Sequence, residues 1–310
     1  MKCQKCRQKS ILTISRSNAK YCKLCFIENF QSQVKRALTK NRMVKREDTI
    51  LIAVSGGKDS LALWHVLIEA GYQTAGLHIN LGIGLYSENS FQRVNKFVEK
   101  FNLKLYTYSL KEAHQMGIVE ISQKSKRSPC SACGTIKRYH FNRFAMQEGY
   151  TVLATGHNLD DEAARLLGNV LRWQQEYLEK QSPVLDGVAG GFVKKIKPLY
   201  RLSEYEVAAY SFLNKIDYVI EECPMSQGAP MLVYKKALNL IENQSPGTKQ
   251  QFYLTFLENQ KNSDEFLSDT RLYSCITCGQ PTSSASTICG YCKITSPLNI
   301  EKGPIRERVI

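Results

Sequence analysis

The sequence predicts an α/β protein: a parallel sheet with helices on both faces, flanked at each end of the chain by a small zinc-ribbon-like module. Three observations lead there. Ile50–Val54 is an unbroken apolar run rich in β-branched residues, which is how a strand buried on both faces reads. Strand-like and helix-like stretches then alternate, and that order implies parallel pairing through right-handed crossovers. Cysteine pairs in C-x2-C spacing stand near both termini, where metal rather than a core must hold the chain.

Residues 1–28 carry Cys3-x2-Cys6, fifteen intervening residues and Cys22-x2-Cys25. Two tight turns that present four thiolates make a closed tetrahedral zinc site, and zinc supplies the stability that so short a segment lacks. Phe30–Asp48 reads as a helix. Ile27, Phe30, Val34 and Leu38 mark one face; Lys35, Arg36, Lys40, Arg42, Lys45 and Arg46 crowd the others. Such a run is either a solvated face or a contact for RNA phosphates.

Ser55-Gly56-Gly57-Lys58-Asp59-Ser60 follows the first strand at once. A helix comes next, with Leu63, Val66, Leu67 and Ala70 at helical spacing. Strand, glycine turn and helix aim backbone N–H groups and a helix N-terminus at an anion, and Lys58 with the Ser55 and Ser60 hydroxyls adds charge and donors. The spacing is not that of the G-x-x-x-x-G-K-[ST] loop. Gln73–Gly82 is a second strand, on which His78 is expected to be packed. Ser87–Phe101 is a helix with Phe91, Val94, Phe97, Val98 and Phe101 inward and Ser87 as N-cap. Leu103–Leu110 is a third strand. A ligand then belongs beyond the C-terminal ends of the strands, near the first strand's loop.

Ile118–Pro129, with Lys124, Lys126 and Arg127, reads as a loop or short helix over the site. Cys130 and Cys133 open the following helix, and Lys137, four residues past Cys133, projects from the same face. His140 is expected at the surface or in packing. Thr151–Thr155 is a fourth strand, and Gly156-His157-Asn158-Leu159-Asp160-Asp161-Glu162 opens another helix. Acidic residues suit a helix start; Asp160 or Asp161 would also hold Mg²⁺ against phosphates. Gln174–Gly191 reads as a polar connection, Phe192–Tyr200 as extended, Ser203–Ile216 as a helix. Cys223-Pro224 follows, and helices near Met231–Glu242 and Gly247–Glu258 close the central domain. Cys275-x2-Cys278, ten residues and Cys289-x2-Cys292 form the second zinc module, and the last ten residues read as a loose tail. The divisions are 1–28, 29–270 and 271–310.

Lys and Arg number 42 against 28 Asp and Glu, a net charge of +14, and such an excess points to a polyanionic partner. No apolar run reaches membrane-spanning length and no export signal opens the chain, so a cytoplasmic location without a membrane is expected. Eleven cysteines divide into the two sets of four and a set of three: Cys130, Cys133 and Cys223. Three converging thiolates can hold three irons of a [4Fe–4S] cluster and leave the fourth open. A persulfide and disulfide pair, or an inert buried Cys223, are the other readings.

The residues SGGKDS resemble the PP-loop of ATP pyrophosphatases, in which ATP is cut between the α and β phosphates and a substrate carbonyl oxygen is adenylated. An N-terminal zinc module, SGGKDS, C-x-x-C with a downstream Lys, GHNLDDEA, a third Cys before Pro and a C-terminal zinc module occur here in order. That order is similar to the TtuA branch of the tRNA 2-thiouridine synthetases, over essentially the whole chain. The resemblance implies ATP and Mg²⁺ at Ala53, Ser55, Gly56, Gly57, Lys58, Asp59, Ser60, Ile79, Lys137 and Gly156. It implies catalytic roles for Lys137, Asp161, Cys130 and Cys133, a [4Fe–4S] cluster on Cys130, Cys133 and Cys223, and two Zn²⁺. It further implies that C2 of a T-loop ribothymidine is adenylated and its oxygen replaced by sulfur. The sulfur would come from the thiocarboxylate of a ubiquitin-like carrier protein, and a homodimer is compatible with it. Wobble-uridine thiolation by the same chemistry stays open, as does a zinc-ribbon RNA-binding protein with an inert nucleotide fold. An ATP-dependent amide ligase would need an ammonia source or glutaminase domain, and none is visible.

Overall fold

The computed structural model describes residues 1–188, 191–261, 272–298 and 305–308. The chain opens on a small hairpin, β1 (Leu12–Ile14) and β2 (Ala19–Tyr21), and runs into α1 (Lys23–Lys40). The αβ core then alternates: β3 (Ile50–Val54), α2 (Lys58–Glu69), β4 (Thr74–Asn80), α3 (Gly84–Phe101), β5 (Lys104–Ser109). Three helices follow, α4 (Leu110–His114), α5 (Ile118–Lys124) and α6 (Pro129–Gln147), then β6 (Val152–Ala154) and α7 (Leu159–Leu171). After α8 (Gln175–Glu179), β7 (Val184–Leu185) and β8 (Lys194–Ile196) come α9 (Glu204–Leu213), α10 (Pro230–Gln244) and α11 (Thr248–Lys261). The second cysteine module holds β9 (Tyr273–Ser274), β10 (Pro281–Thr282) and α12 (Gly290–Thr295), and β11 (Arg306–Arg308) ends the described chain.

The main sheet has the order β11-β5-β4-β3-β6-β8-β7. Its five central strands are parallel, with β11 and β7 antiparallel at the two edges. From β3 the chain steps outward to β4 and β5, then returns to place β6 on the other side of β3. The sheet therefore has its switch point between β3 and β6, where a crevice opens beyond the carboxyl ends of both strands.

Alternation along β3 explains why its sequence is apolar throughout. Ile50, Ile52 and Val54 face one layer, with Phe30 and Val34 of α1, Leu63 and Leu67 of α2, Val94 and Val98 of α3 and Leu166 of α7. Leu51 and Ala53 face the other, with Ile118 and Ile121 of α5, Ile136 and Phe144 of α6 and Tyr291 of α12. Both faces are covered, so every second residue cannot be polar. Gly76 on β4 makes room for Trp64, since a Cβ there would lie 2.4 Å from the indole ring, and Trp64 Nε1 donates to Thr74 Oγ1 at 2.9 Å.

Both cysteine modules are docked. Arg16, between β1 and β2, pairs with the buried Glu206 at 2.8 Å, and Glu206 also closes the capping box of α9 through Ser203. Tyr291 stacks flat on Tyr139 of α6 with ring centroids 3.7 Å apart.

Several sequence expectations need correction. The first helix begins at Lys23 and ends at Lys40: its apolar stripe extends back to Phe26, and Cys22 takes the extended N-cap position. Cys25 therefore lies on α1, which runs through the 28/29 division. Ser87 does not cap α3; Gly84, at φ +43°, starts the helix earlier, and Ser87 reaches back to accept the Ile83 N–H at 2.9 Å. The polar connection 174–191 contains α8 and the edge strand β7. The tail is not loose throughout: β11 pairs antiparallel with β5, covering an edge that would otherwise expose unpaired backbone groups. The 270/271 division lies outside the described residues.

Candidate active site and metal centres

The loop after β3 sits at the switch point. Gly56 has φ +78°, and a Cβ on it would meet the Ser90 carbonyl oxygen at 2.6 Å. Gly57 is the N-cap of α2. The Ser60 hydroxyl donates to the Gly57 carbonyl at 3.0 Å and accepts the Ser55 N–H at 3.1 Å, so the loop is closed on itself. Gly156, after β6, comes so near that a Cβ would lie 2.7 Å from the Asp59 backbone. Gly156 thus lets the two loops meet at the strand ends, and Gly56 lets the first loop pass close to α3.

A cavity of about 300 Å³ opens at that meeting point. Its wall includes Ala53, Ser55, Asp59 and Ser60 from the first loop, Gly156 and Asp161 from the second, and Gly134 and Lys137 from α6. Gly56, Gly57, Lys58 and Ile79 are not part of this wall. Two larger hollows, of about 470 and 640 Å³, do not include the loop after β3.

The two adjacent aspartates part company. Asp160 is buried, paired with Lys249, and accepts the Glu204 N–H at 2.8 Å, so it fastens α7 to α9 and α11. Asp161 lines the cavity; it accepts the Asn158 N–H at 3.2 Å and pairs with Lys235 at 2.6 Å. Asn158 also donates to Asp59 at 3.0 Å. Burial pushes the Asp59 carboxyl up, against the pull of Lys58 and with Asp161 adding to the push. Two carboxylates that repel each other across a cavity are a donor set suited to a hard divalent cation. Burial works against the Lys58 charge, but Asp59 and Glu204 outweigh it and raise its pKa; Lys58 Nζ lies 2.6 Å from Glu204 and 3.2 Å from Asp59.

The far wall holds groups beyond the predicted site residues. Arg138, His157 and Lys195 all line it. Burial lowers the Lys195 pKa to about 8, with Lys197, Arg138 and Arg165 repelling its charge. Burial likewise brings His157 down to about 3; its Nδ1 is 2.8 Å from Thr155 Oγ1. The available signal was Lys194-Lys195-Ile196-Lys197, three lysines at a short strand. His78 is buried with Nδ1 3.1 Å from the Val54 carbonyl, and burial lowers it to about 4. His140 is buried in packing against Tyr108.

Cys130 and Cys133 stand in the first turns of α6, and Cys223 is the N-cap of the 3-10 turn Pro224–Ser226 beside it. The thiols share one neighbourhood: burial raises Cys130, and Cys133 and Cys223 add to the shift. Cys130 Sγ also lies 3.4 Å from the Met225 carbonyl. Gly134, next to Cys133, lines the cavity, so the thiol set adjoins the phosphate loop's hollow. Among the described residues, only the two terminal sets bring all their ligand atoms within 4.8 Å of one another: Cys3, Cys6, Cys22, Cys25 and Cys275, Cys278, Cys289, Cys292. Four thiolates around one zinc at about 2.3 Å lie about 3.8 Å apart, and Cys6–Cys22 and Cys278–Cys289 are at 3.5 and 3.7 Å. The terminal sets fit a single tetrahedral ion. The trio of Cys130, Cys133 and Cys223 is not among the sets that close; in a cluster each thiolate would take a separate iron.

Backbone donors lower one thiol in each terminal set. Burial would raise Cys275, but N–H groups of Cys289, Thr277 and Cys278 outweigh it and lower the thiol to about 6. Cys3 falls to about 6 in the same way, with burial opposed by the N–H groups of Cys22, Cys6 and Lys5. Thiolates held by N–H donors are ready metal ligands.

Comparison with known proteins fits this geometry. The PP-loop domain family matches residues 27–227. A tRNA-5-methyluridine(54) 2-sulfurtransferase of Thermus thermophilus is 44% identical over 95% of this chain and 91% of its own length. One of Pyrococcus horikoshii is 40% identical over 94% and 93%. Among solved structures, the U34-tRNA thiolase NcsA of Methanococcus maripaludis, with its [4Fe–4S] cluster, superposes with a TM-score of 0.83 at 26% identity, covering 98% of both chains.

Proposed function

The chain belongs to the PP-loop domain family, and from that premise we propose that it is an ATP-dependent tRNA 2-thiolase forming AMP and pyrophosphate. The observation that carries the reading is one cavity walled by both the Ser55–Ser60 loop and the α6 face that follows Cys133. An activated base and a sulfur source can meet only where the nucleotide and the thiols adjoin.

ATP binds with its phosphates over the N-terminus of α2, where the Gly57 and Lys58 backbone and the Ser55 hydroxyl supply donors. Asp59 and Asp161 would hold Mg²⁺, which would neutralise phosphate charge. The C2 oxygen of the base attacks the α phosphorus and pyrophosphate leaves; a sulfur nucleophile then forms the C2–S bond as the C2–O bond to AMP breaks. Lys137 and Lys195 face the cavity and stabilise the charge that develops on the oxygen and the α phosphate. Cys130, Cys133 and Cys223 would hold a [4Fe–4S] cluster, whose iron would supply Lewis-acid chemistry for the sulfur. Each terminal four-cysteine set would hold one Zn²⁺ that closes its own module, which Arg16 and Tyr291 dock on α9 and α6. Ile79, beside β3 on β4, offers backbone to the adenine edge. The division into 1–28, 29–270 and 271–310 is one of ligand sets around a single sheet.

Position 54 in the T-loop is favoured over the wobble position because relatives named for position 54 reach 39–44% identity. The U34 thiolase stands at 26%. A thiocarboxylated ubiquitin-like carrier as sulfur donor rests on the motif order, and a homodimer as working unit is compatible with it. The net charge of +14 supports a tRNA partner. No helix of the described chain is long and apolar enough to cross a membrane, which fits a cytoplasmic enzyme. Mass spectrometry of tRNA nucleosides from a deletion strain tests the reading: 2-thio-5-methyluridine should disappear. Its persistence with loss of wobble 2-thiouridine moves the target to position 34, and loss of neither refutes thiolation.

A further inference from the structure

Behind the cavity wall lies a chain of five charges that the reaction outlined above leaves unexplained. Asp59 pairs with Lys58 at 3.2 Å, and Lys58 with Glu204 Oε1 at 2.6 Å. Lys235 then takes Glu204 Oε2 at 3.3 Å and Asp161 at 2.6 Å. The two end members, Asp59 and Asp161, line the cavity; the two ammonium groups sit between them, bridged by one carboxylate. Because Lys58 and Lys235 grip opposite oxygens of the same carboxylate, their nitrogens are held a few ångströms apart on the phosphate-loop side.

Glu204 is the exposed member. Its side chain is 38% accessible, against 20% and 18% for Lys58 and Lys235. Its backbone is fixed, since the Glu204 N–H donates to Asp160, while its carboxylate stands at the first position of α9 toward solvent. A carboxylate that bridges two less exposed ammonium groups occupies the place an anion of two linked charges would take.

We propose that Lys235 is a diphosphate-binding residue that acts beside Lys58, and that Glu204 holds both ammonium groups in place until the β and γ phosphates of ATP displace it. The inference rests on the PP-loop reading and extends it to a residue on α10, far in sequence from the motif. On ATP binding, Glu204 rotates into solvent, Asp161 turns to the metal, and Lys235 transfers from the two carboxylates to the phosphates. The same seat then holds the pyrophosphate product. No covalent bond changes in this exchange.

The alternative is that Lys235 merely ties α10 to α7 and α9. Calorimetric binding of magnesium pyrophosphate to the full-length protein separates the two, with AMP as a second probe that lacks the β and γ phosphates. This reads the seat whether or not the protein thiolates tRNA, which nucleoside analysis decides on its own. Lys235→Met should weaken pyrophosphate binding about tenfold or more, the loss expected of one charge-assisted hydrogen bond, while AMP binding changes by less than about twofold. Lys235→Arg should restore most of it. Glu204→Gln should tighten pyrophosphate binding about two- to fivefold, because a partly exposed competing ion pair is gone. If Lys235→Met leaves pyrophosphate binding unchanged, or weakens AMP and pyrophosphate equally without rescue by Lys235→Arg, the proposal is wrong.

Discussion

Gly56→Ala tests the physical basis of the phosphate loop. Gly56 has φ +78°, a left-handed conformation that costs an alanine about 1–2 kcal/mol. Its new Cβ would also stand 2.6 Å from the Ser90 carbonyl oxygen and 3.0 Å from the Ser90 Cα, both backbone atoms. Neither partner yields readily: Ser90 Oγ donates to the Ser55 carbonyl at 3.1 Å, and the Gly56 carbonyl accepts the Val219 N–H at 3.0 Å. Overpacking of this kind costs about 1–3 kcal/mol more, while the stiffer unfolded chain returns about 0.4–1 kcal/mol. The net destabilisation is about 1–4.6 kcal/mol, a Tm drop of roughly 2–7 °C for a chain of this length. Gly57→Ala is the internal control. Its φ is −80°, and its Cβ would meet only Ser55 Oγ, at an ordinary 3.5 Å. Urea unfolding followed by the emission of the buried Trp64, with zinc retained, compares the two. Equal stability of the two variants, within about 0.5 kcal/mol, would refute the reasoning. If Gly57→Ala keeps its stability but binds ATP more weakly, the loop's second glycine serves the ligand and the first serves the turn.

Four other outcomes are expected. Cys130→Ala, Cys133→Ala or Cys223→Ala should each abolish the cluster's visible absorbance and tRNA thiolation while leaving two zinc per chain by metal analysis; full activity in all three would remove the trio from the chemistry. Cys22→Ser should lower bound zinc from two to one and reduce Tm, because the hairpin carrying Arg16 loses its anchor; an unchanged metal content excludes that site. For Lys195, the folded pKa of about 8 lies below the ordinary 10.5, so the unfolded chain holds the proton over that interval and stability rises with pH between about 8 and 10.5. The difference in urea midpoint between the wild type and Lys195→Met should shrink across that range, and a constant difference contradicts the assignment. Finally, tRNA affinity should fall steeply as salt rises from about 50 to 200 mM, as polyanion binding by a chain of net charge +14 demands; a flat salt dependence argues against phosphate contacts.

What could be read without coordinates was chemistry spelled within a few neighbouring residues. A buried strand followed by Ser55–Ser60, C-x2-C turns and the Gly156–Glu162 string each carry their geometry locally, through turn conformation and helix spacing. The alternation of strands and helices also implied that β3 and β6 would open their loops on the same side. Tertiary structure alone decided the rest. Asp160 and Asp161 are adjacent in sequence, yet one locks α7 to Lys249 and the other faces the cavity, because one step along a helix turns a side chain by about 100°. Lys195 and Glu204 carry no motif, and Lys235 lies only in a family-like segment with no assigned role; they reach the site because β8 joins the sheet beside β6, and α9 and α10 fold back against α2 and α7. Cys223 reaches the neighbourhood of Cys130 only through the turn at Pro224, 90 positions past Cys133. Covalent neighbours determine backbone shape, but which distant side chains share a cavity follows from the order in which strands settle beside one another, and no short stretch of sequence contains that order.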